Sequence, residues 1–149
     1  MKEQNIGRLI AILHRQSQIC INKSLKELSL TSAEYPSLLA LYHREGQTQE
    51  ELSSYLYIDK AAIARIIKSL LTKGFVIKKQ DAQDKRCNRI FLTEKAKQQQ
   101  EDIHKRVIQW NAFITESLDQ ETYLNTNNTL QRMVDQVNKI DKAETLEIL

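Results

Sequence analysis

Ten cations lie between Lys60 and Lys95 against three acids, Asp81, Asp84 and Glu94, a local charge of +7 in a chain whose total is +3, so the remainder sums to −4. Basic side chains at this density neutralise a polyanion, and an arginine among them presents paired donors that match a base edge. Two groups stand out. Lys60, Arg65 and Lys68 recur at helical spacing, with Ala61 and Ala64 leaving room for close approach on the same side. Lys85, Arg86 and Arg89 crowd the polar stretch QDAQDKRCNR, where no core demands them. From the charge count alone, an ordinary solvated basic face reads equally well.

Other chemistries find less support. There is no HExxH or GxSxG pattern, and three glycines leave little room for a phosphate-cradling loop, so an enzyme is not expected. His14, His43 and His104 fall on different predicted helices, and His104 has Ile108 one turn on, so neither a metal site nor a cofactor is expected. Cys20 and Cys87 lack CxxC spacing, which removes a zinc ribbon and a disulfide framework. Both remain candidate redox residues. Cys20 falls on or near the apolar side of a helix, where a thiol is inert; Cys87 has Arg86 and Arg89 beside it, and nearby positive charge is expected to lower its pKa.

The elements that must hold these residues are mainly helical, since 3 glycines and 1 proline in 149 residues allow few turns. No apolar run approaches the roughly 18 residues a membrane span needs, and the chain opens into an amphipathic segment, so a cytoplasmic protein without a membrane partner is expected. A first long helix reads over about 5 to 28. Thr31 with Glu34 forms a capping box for a second helix that runs to Gly46, and Pro36 near its start costs little. Thr48 with Glu51 repeats the box and opens a short helix through Leu56, after which Asp59 caps a third element with Ile63, Ile67 and Leu70 on one face. Two capped helices across so short a turn make a helix-turn-helix candidate.

Beyond Gly74 the pattern becomes extended at 75–77 and again at 90–92, and the polar loop between them makes a hairpin, or wing. Asp84 on that loop is expected to brace it, by pairing with an arginine or by capping backbone N–H groups. Ile103, Val107, Trp110 and Ile114, then Leu130, Met133, Val134, Val137 and Ile140, form narrow apolar stripes on two further helices. These read as core, not as a cofactor box. The economical way to bury them is against the same helices of a second subunit.

The segments LTSAEYPSLLAL, TQEELSSYLYIDKAAIARIIKSLLTKGFV and DKRCNRIFLTEKA resemble the MarR family of bacterial regulators, the wing signature of Asp, one residue, Arg and a strand ending in Leu-Thr being the most specific part. The resemblance implies a mainly α (α+β) winged helix-turn-helix fold: residues 31–96 as the DNA-binding domain, 1–30 and 97–149 as dimerisation helices, and a triangular homodimer whose fourth helix enters the major groove. By position Arg86 matches the family's minor-groove wing arginine and Arg65 its recognition-helix arginine. Ala96 stands where many members have Gly, and Ala61, Ala62 and Ala64 replace commoner hydroxyl residues. Family members often bind small aromatic acids in a cleft between the two regions; here Arg15 and Tyr35 are the candidate lining, against the simpler readings of a surface arginine and a core tyrosine. Their sensing cysteine, where they have one, usually sits earlier in the first helix than Cys20.

The function expected from residues and resemblance together is a double-stranded DNA-binding transcriptional regulator, a repressor acting as a homodimer on a near-palindromic operator and relieved by a small aromatic effector or an oxidant. The alternative is a winged-helix module that binds protein or ligand without an operator.

Overall fold

The computed structural model describes residues 5–140. Helix α1 spans Ile6–Leu25, with Asn5 accepting the Arg8 N–H as its cap, and a 3-10 turn carries it through Lys26–Leu28 before Ser29 closes it at a left-handed φ of 58°. Helix α2 is Tyr35–His43, α3 is Gln49–Leu56 and α4 is Lys60–Thr72. Strands β1 Gln47–Thr48, β2 Val76–Gln80 and β3 Asn88–Leu92 make an antiparallel sheet in the order β1-β3-β2. Helices α5 Glu94–Thr115 and α6 Gln120–Val137 complete the chain. The mainly α winged-helix architecture expected above is the observed one.

The described residues fall into two compact units divided between Trp110 and Asn111. In the first, Leu25, Leu38, Leu41, Leu52, Ile63, Ile67, Leu70, Phe75, Ile90 and Ile103 are fully enclosed, so α1 to α4, the sheet and α5 share one core. Trp110 Nε1 donates to Ser17 Oγ at 2.7 Å and Arg106 donates to the Ser24 carbonyl at 2.6 Å, tying α5 to α1. Ala96, where the resemblance expects glycine, is buried, and its carbonyl accepts the Tyr42 hydroxyl. In the second unit α6 is capped by Asp119, which accepts the Thr122 N–H, and none of its residues is buried.

Three local features differ from expectation. Helix α2 ends at His43, not at Gly46; the glycine instead takes φ +74° to bring its N–H to the Ile90 carbonyl at 2.9 Å, which starts β1. That two-residue strand carries no alternation and was not expected. The wing strands are longer than the apolar runs 75–77 and 90–92, because the exposed residues Lys78, Lys79 and Gln80 continue β2 by backbone pairing with Ile90, Arg89 and Asn88, which needs no apolar side chain on β2. The box at Thr31 and Glu34 is only half formed: Glu34 Oε2 accepts the Thr31 N–H at 3.0 Å, while the carboxylate turns inward and is 4% exposed.

Candidate nucleic-acid interface

Helix α4 starts where the sequence dictates. Thr48 and Glu51 form both bonds of a capping box on α3, at 3.1 and 2.8 Å, and Tyr57 ends that helix in a left-handed turn at φ 56°. Ser53 Oγ holds the turn by donating to the Ile58 carbonyl, and Asp59 Oδ1 accepts the Ala62 N–H at 2.9 Å as the α4 cap. Burial of Ile63, Ile67 and Leu70 then fixes the outward face as Ala61, Ala64, Arg65, Lys68 and Thr72, all exposed. Among the described residues the side chains of Arg65 and Lys68 have no hydrogen-bond or ion-pair partner. Lys60 does: its Nζ lies 2.9 Å from Glu50 Oε1, in a pair that is about three-quarters exposed and therefore weak and exchangeable.

The wing loop is held by its own backbone. Asp81 N–H reaches the Cys87 carbonyl at 2.9 Å, Cys87 N–H reaches the Asp84 carbonyl at 3.0 Å, and Gln80 Nε2 donates to the Lys85 carbonyl at 2.7 Å. Asp84 Oδ1 accepts the Arg86 N–H at 3.0 Å and Asp81 Oδ1 accepts that of Gln83 at 2.9 Å, two Asx turns in sequence. Asp84 thus acts through backbone, not through an arginine. Lys85 and Arg86 are left exposed on this frame, with no side-chain partner among the described residues.

Arg89 departs from the expected free wing cation. Its Nε donates to Asp81 Oδ2 at 2.7 Å and one terminal nitrogen donates to the Gly46 carbonyl at 2.7 Å, with Glu51 Oε2 3.7 Å away. Hydrogen bonding to Asp81 raises the pKa of the guanidinium further, and the N–H of Gln83 together with Arg89 holds Asp81 below the usual carboxylate range. Asp81 was missed in the sequence, although an acid eight residues before an arginine across a hairpin was a usable signal.

For Cys87 the expectation reverses. Asp84, whose Oδ2 is 3.6 Å from the sulfur, pushes the thiol pKa up, and the opposing effect of Arg89 is smaller. The arginines adjacent in sequence do not make a thiolate here. Cys20 is half-buried on α1. Arg15 is exposed on α1, while Tyr35 is half-buried against the core at the start of α2, where burial raises its hydroxyl pKa. Neither lines the open hollow of about 600 Å³ walled by His43, Arg44, Gln47, Glu50, Ser54 and Tyr55. Among the described residues no three His, Cys, Asp or Glu side chains stand together as a metal set, and no helix is long and apolar enough to cross a membrane.

Comparison with known proteins fits this geometry. The sequence model of the MarR family matches residues 30–88. A MarR transcriptional regulator from Methanosarcina mazei Go1 is 37% identical, with 91% of this chain superposing on 98% of that one at a TM-score of 0.85. A MarR family transcriptional regulator from Listeria monocytogenes, solved in complex with a 26mer DNA, is 27% identical and superposes at 0.86 over 90% of this chain and 89% of its own. An HTH-type transcriptional regulator of Bacillus subtilis (strain 168) is 36% identical over 93 residues, a match that spans 62% of each chain.

Proposed function

The chain belongs to the MarR family of transcriptional regulators, which are not enzymes, and from that premise we propose that it is a repressor that binds double-stranded DNA as a homodimer on a near-palindromic operator. The observation that carries the reading is that Arg65 and Lys68 on α4, and Lys85 and Arg86 on the wing, are exposed and without a side-chain partner among the described residues, on backbone frames held by the Asp59 cap and by the two Asx turns of the wing. Exposed cations without a partner among the described residues are ready for phosphate and base edges, and a fixed backbone lowers the entropy lost on binding.

In this reading α4 enters the major groove. Ala61 and Ala64 let the helix backbone approach, Arg65 offers paired donors to guanine O6 and N7, and Lys68 and Lys60 take phosphates, Lys60 by exchanging Glu50 for one. Arg86 reaches a narrow minor groove beside it, with Lys85 on the flanking phosphate and Asp84 keeping the loop in shape. Arg89 serves the interface by positioning the wing. The Listeria relative solved with DNA supports the partner class.

The dimer rests on apolar side chains left exposed in the terminal helices, within the assigned dimerisation segments 1–30 and 97–149: Ile6, Leu9, Ile10 and Leu13 on α1, Phe113 on α5, and Leu124, Leu130, Val134 and Val137 on α6. Covering them against a second copy removes that surface from water. Residues 1–4 and 141–149 of those segments lie outside the described residues. For the effector, a small aromatic acid whose carboxylate pairs with Arg15 and whose ring meets Tyr35 is the proposed class. The raised thiol of Cys87 argues against oxidation there as the signal.

The test is a titration of duplex DNA at several salt concentrations. Phosphate contacts release counterions, so log affinity should fall steeply and linearly with log salt. A protein with no duplex affinity, or one without salt dependence, would instead be a winged-helix module for protein or ligand.

A further inference from the structure

The apolar contacts that hold α4 in place have no direction. Ile63, Ile67 and Leu70 are fully buried and decide which face of the helix points inward, but side chains of this kind tolerate a few degrees of rotation or a short slide at little cost. Direction comes from hydrogen bonds. On the inner side of α4 these converge on Glu34, which enters from the start of α2: Oε1 accepts from Ser69 Oγ at 2.5 Å and from Lys73 Nζ at 2.9 Å, and Oε2 accepts from Lys73 Nζ at 2.9 Å and from the Thr31 N–H at 3.0 Å. The carboxylate is 4% exposed and satisfied on both oxygens.

Ser69 lies one turn beyond Arg65 and next to Lys68, and Lys73 is the C-cap of α4. Glu34 is buried while the Lys73 side chain is 28% exposed, and an ion pair enclosed on one side is seldom the most stable way to fill such a space, since apolar side chains of the same volume often do as well or better. What the charge adds over a leucine is orientation. A rotation of α4 by roughly 10° would move its outer side chains by about 1 Å at a radius of 5–6 Å, enough to spoil a paired contact to a base edge while leaving phosphate contacts nearly intact.

We propose that Glu34 is a positioning residue for DNA reading: through Ser69 and Lys73 it sets the rotation of α4, and so the aim of Arg65 and Lys68, without touching DNA itself. The inference rests on the reading of α4 as the helix that enters the major groove. It deepens that reading by separating recognition of sequence, which needs the tie, from attraction to phosphate, which does not.

The experiment begins with the parent protein, which selects a duplex from a random-sequence pool. Affinities for that duplex and for an unselected random duplex of equal length are then measured for the parent, for E34Q, for S69A and for the charge-neutral double variant E34L/K73M, each with its melting temperature. The double variant leaves no unpaired buried charge. For E34Q and for the double variant the preference for the selected duplex should fall about tenfold or more, with random-duplex affinity within about twofold of the parent. S69A, which removes one hydroxyl, should lower the preference about threefold. A folded double variant with parental preference would overturn the inference, as would parental preference in S69A if the double variant does not fold. A parent with no salt-dependent duplex affinity would overturn the functional reading itself, and that outcome is visible before any variant is made.

Discussion

Arg89 Nε and Asp81 Oδ2 stand 2.7 Å apart across the base of the wing, joining the end of β2 to β3 where Lys79 and Arg89 are register partners. The same guanidinium reaches the Gly46 carbonyl, so one side chain fixes the wing to the turn that precedes α3. If Arg89 acts by holding this posture, Arg89→Ala and Asp81→Ala should weaken duplex binding by similar factors, roughly three- to tenfold, and the double variant should be no worse than either. Losses that add would mean that Arg89 contacts DNA on its own account. Arg89→Lys should fail to restore binding, because an ammonium cannot span a carboxylate and a carbonyl in the fork geometry.

Arg65 and Arg86 should fail in different ways. Arg65→Ala should cost on the order of 1 to 3 kcal/mol on the preferred duplex and relax selection at particular base pairs, since it removes paired donors from the major groove. Arg86→Ala should matter chiefly where A·T-rich flanks narrow the minor groove. Binding titrations on duplexes with A·T-rich and G·C-rich flanks separate the two. Parental affinity in both variants, with unchanged circular dichroism, would move the interface elsewhere on the molecule.

The helix-turn-helix was legible because its signals are local. Thr48 with Glu51, and Asp59 before an apolar face of Ile63, Ile67 and Leu70, announce themselves within a turn or two of chain. Strand β1 was not, since Gln47 and Thr48 become a strand only by pairing with Ile90 and Arg89 some forty residues on. Side-chain direction was equally out of reach. Cys87 has two arginines near it in sequence, yet the carboxylate of Asp84 is what faces its sulfur; Arg89 looked free because Gly46, its carbonyl partner, is distant in the chain. Glu34 was visible only as half of a capping box. Nothing local says that a capping acid will be buried against a helix 35 residues later.

Acid should report on Glu34. Burial pushes its carboxyl up, but the bonds from Lys73, Ser69 and Thr31 outweigh that and hold it below its ordinary 4.5. A carboxyl lowered in the folded state adds stability above the unfolded pKa and loses it as pH falls through the folded one. The melting temperature of the parent should therefore drop more steeply below about pH 5 than that of E34L/K73M, in which neither partner titrates there. Asp81, Asp119 and Glu50 are also held low and contribute equally to both proteins, so the difference isolates Glu34. Parallel curves would mean that ionisation of Glu34 adds no stability to the folded state.

The apolar side chains of α1 and α6 predict a dimer that the winged region alone cannot replace. Leu130→Asp places a charge where a second subunit is proposed to cover the helix, and should raise the dimer dissociation constant at least about tenfold, since an unpaired charge in an apolar interface costs several kcal/mol. Removing residues 1–28 should expose the helices that pack on α1 and cause aggregation. Analytical ultracentrifugation decides both, and a well-behaved monomer after the truncation would count against the dimer.

Symmetry makes the most demanding prediction. A two-fold dimer carries two copies of α4, Lys60–Thr72, and both can enter the major groove on one side of B-DNA only when the half-site centres lie about 10 base pairs apart, or a whole multiple of that. The operator should then be a near-palindrome. Because Ala61, Ala62 and Ala64 offer no hydrogen-bonding side chain, direct readout on α4 falls to Arg65, and methyl contacts to thymine with sequence-dependent shape should carry much of the remaining discrimination. Inserting about five base pairs between half-sites turns one of them to the opposite face of the duplex, and a dimer joined along its terminal helices cannot follow. Affinity should collapse toward that of a single half-site and return in part at a full-turn insertion. A gel-shift series over insertions of increasing length measures this directly, and unchanged affinity at the half-turn would refute binding by two wings and two recognition helices on one face.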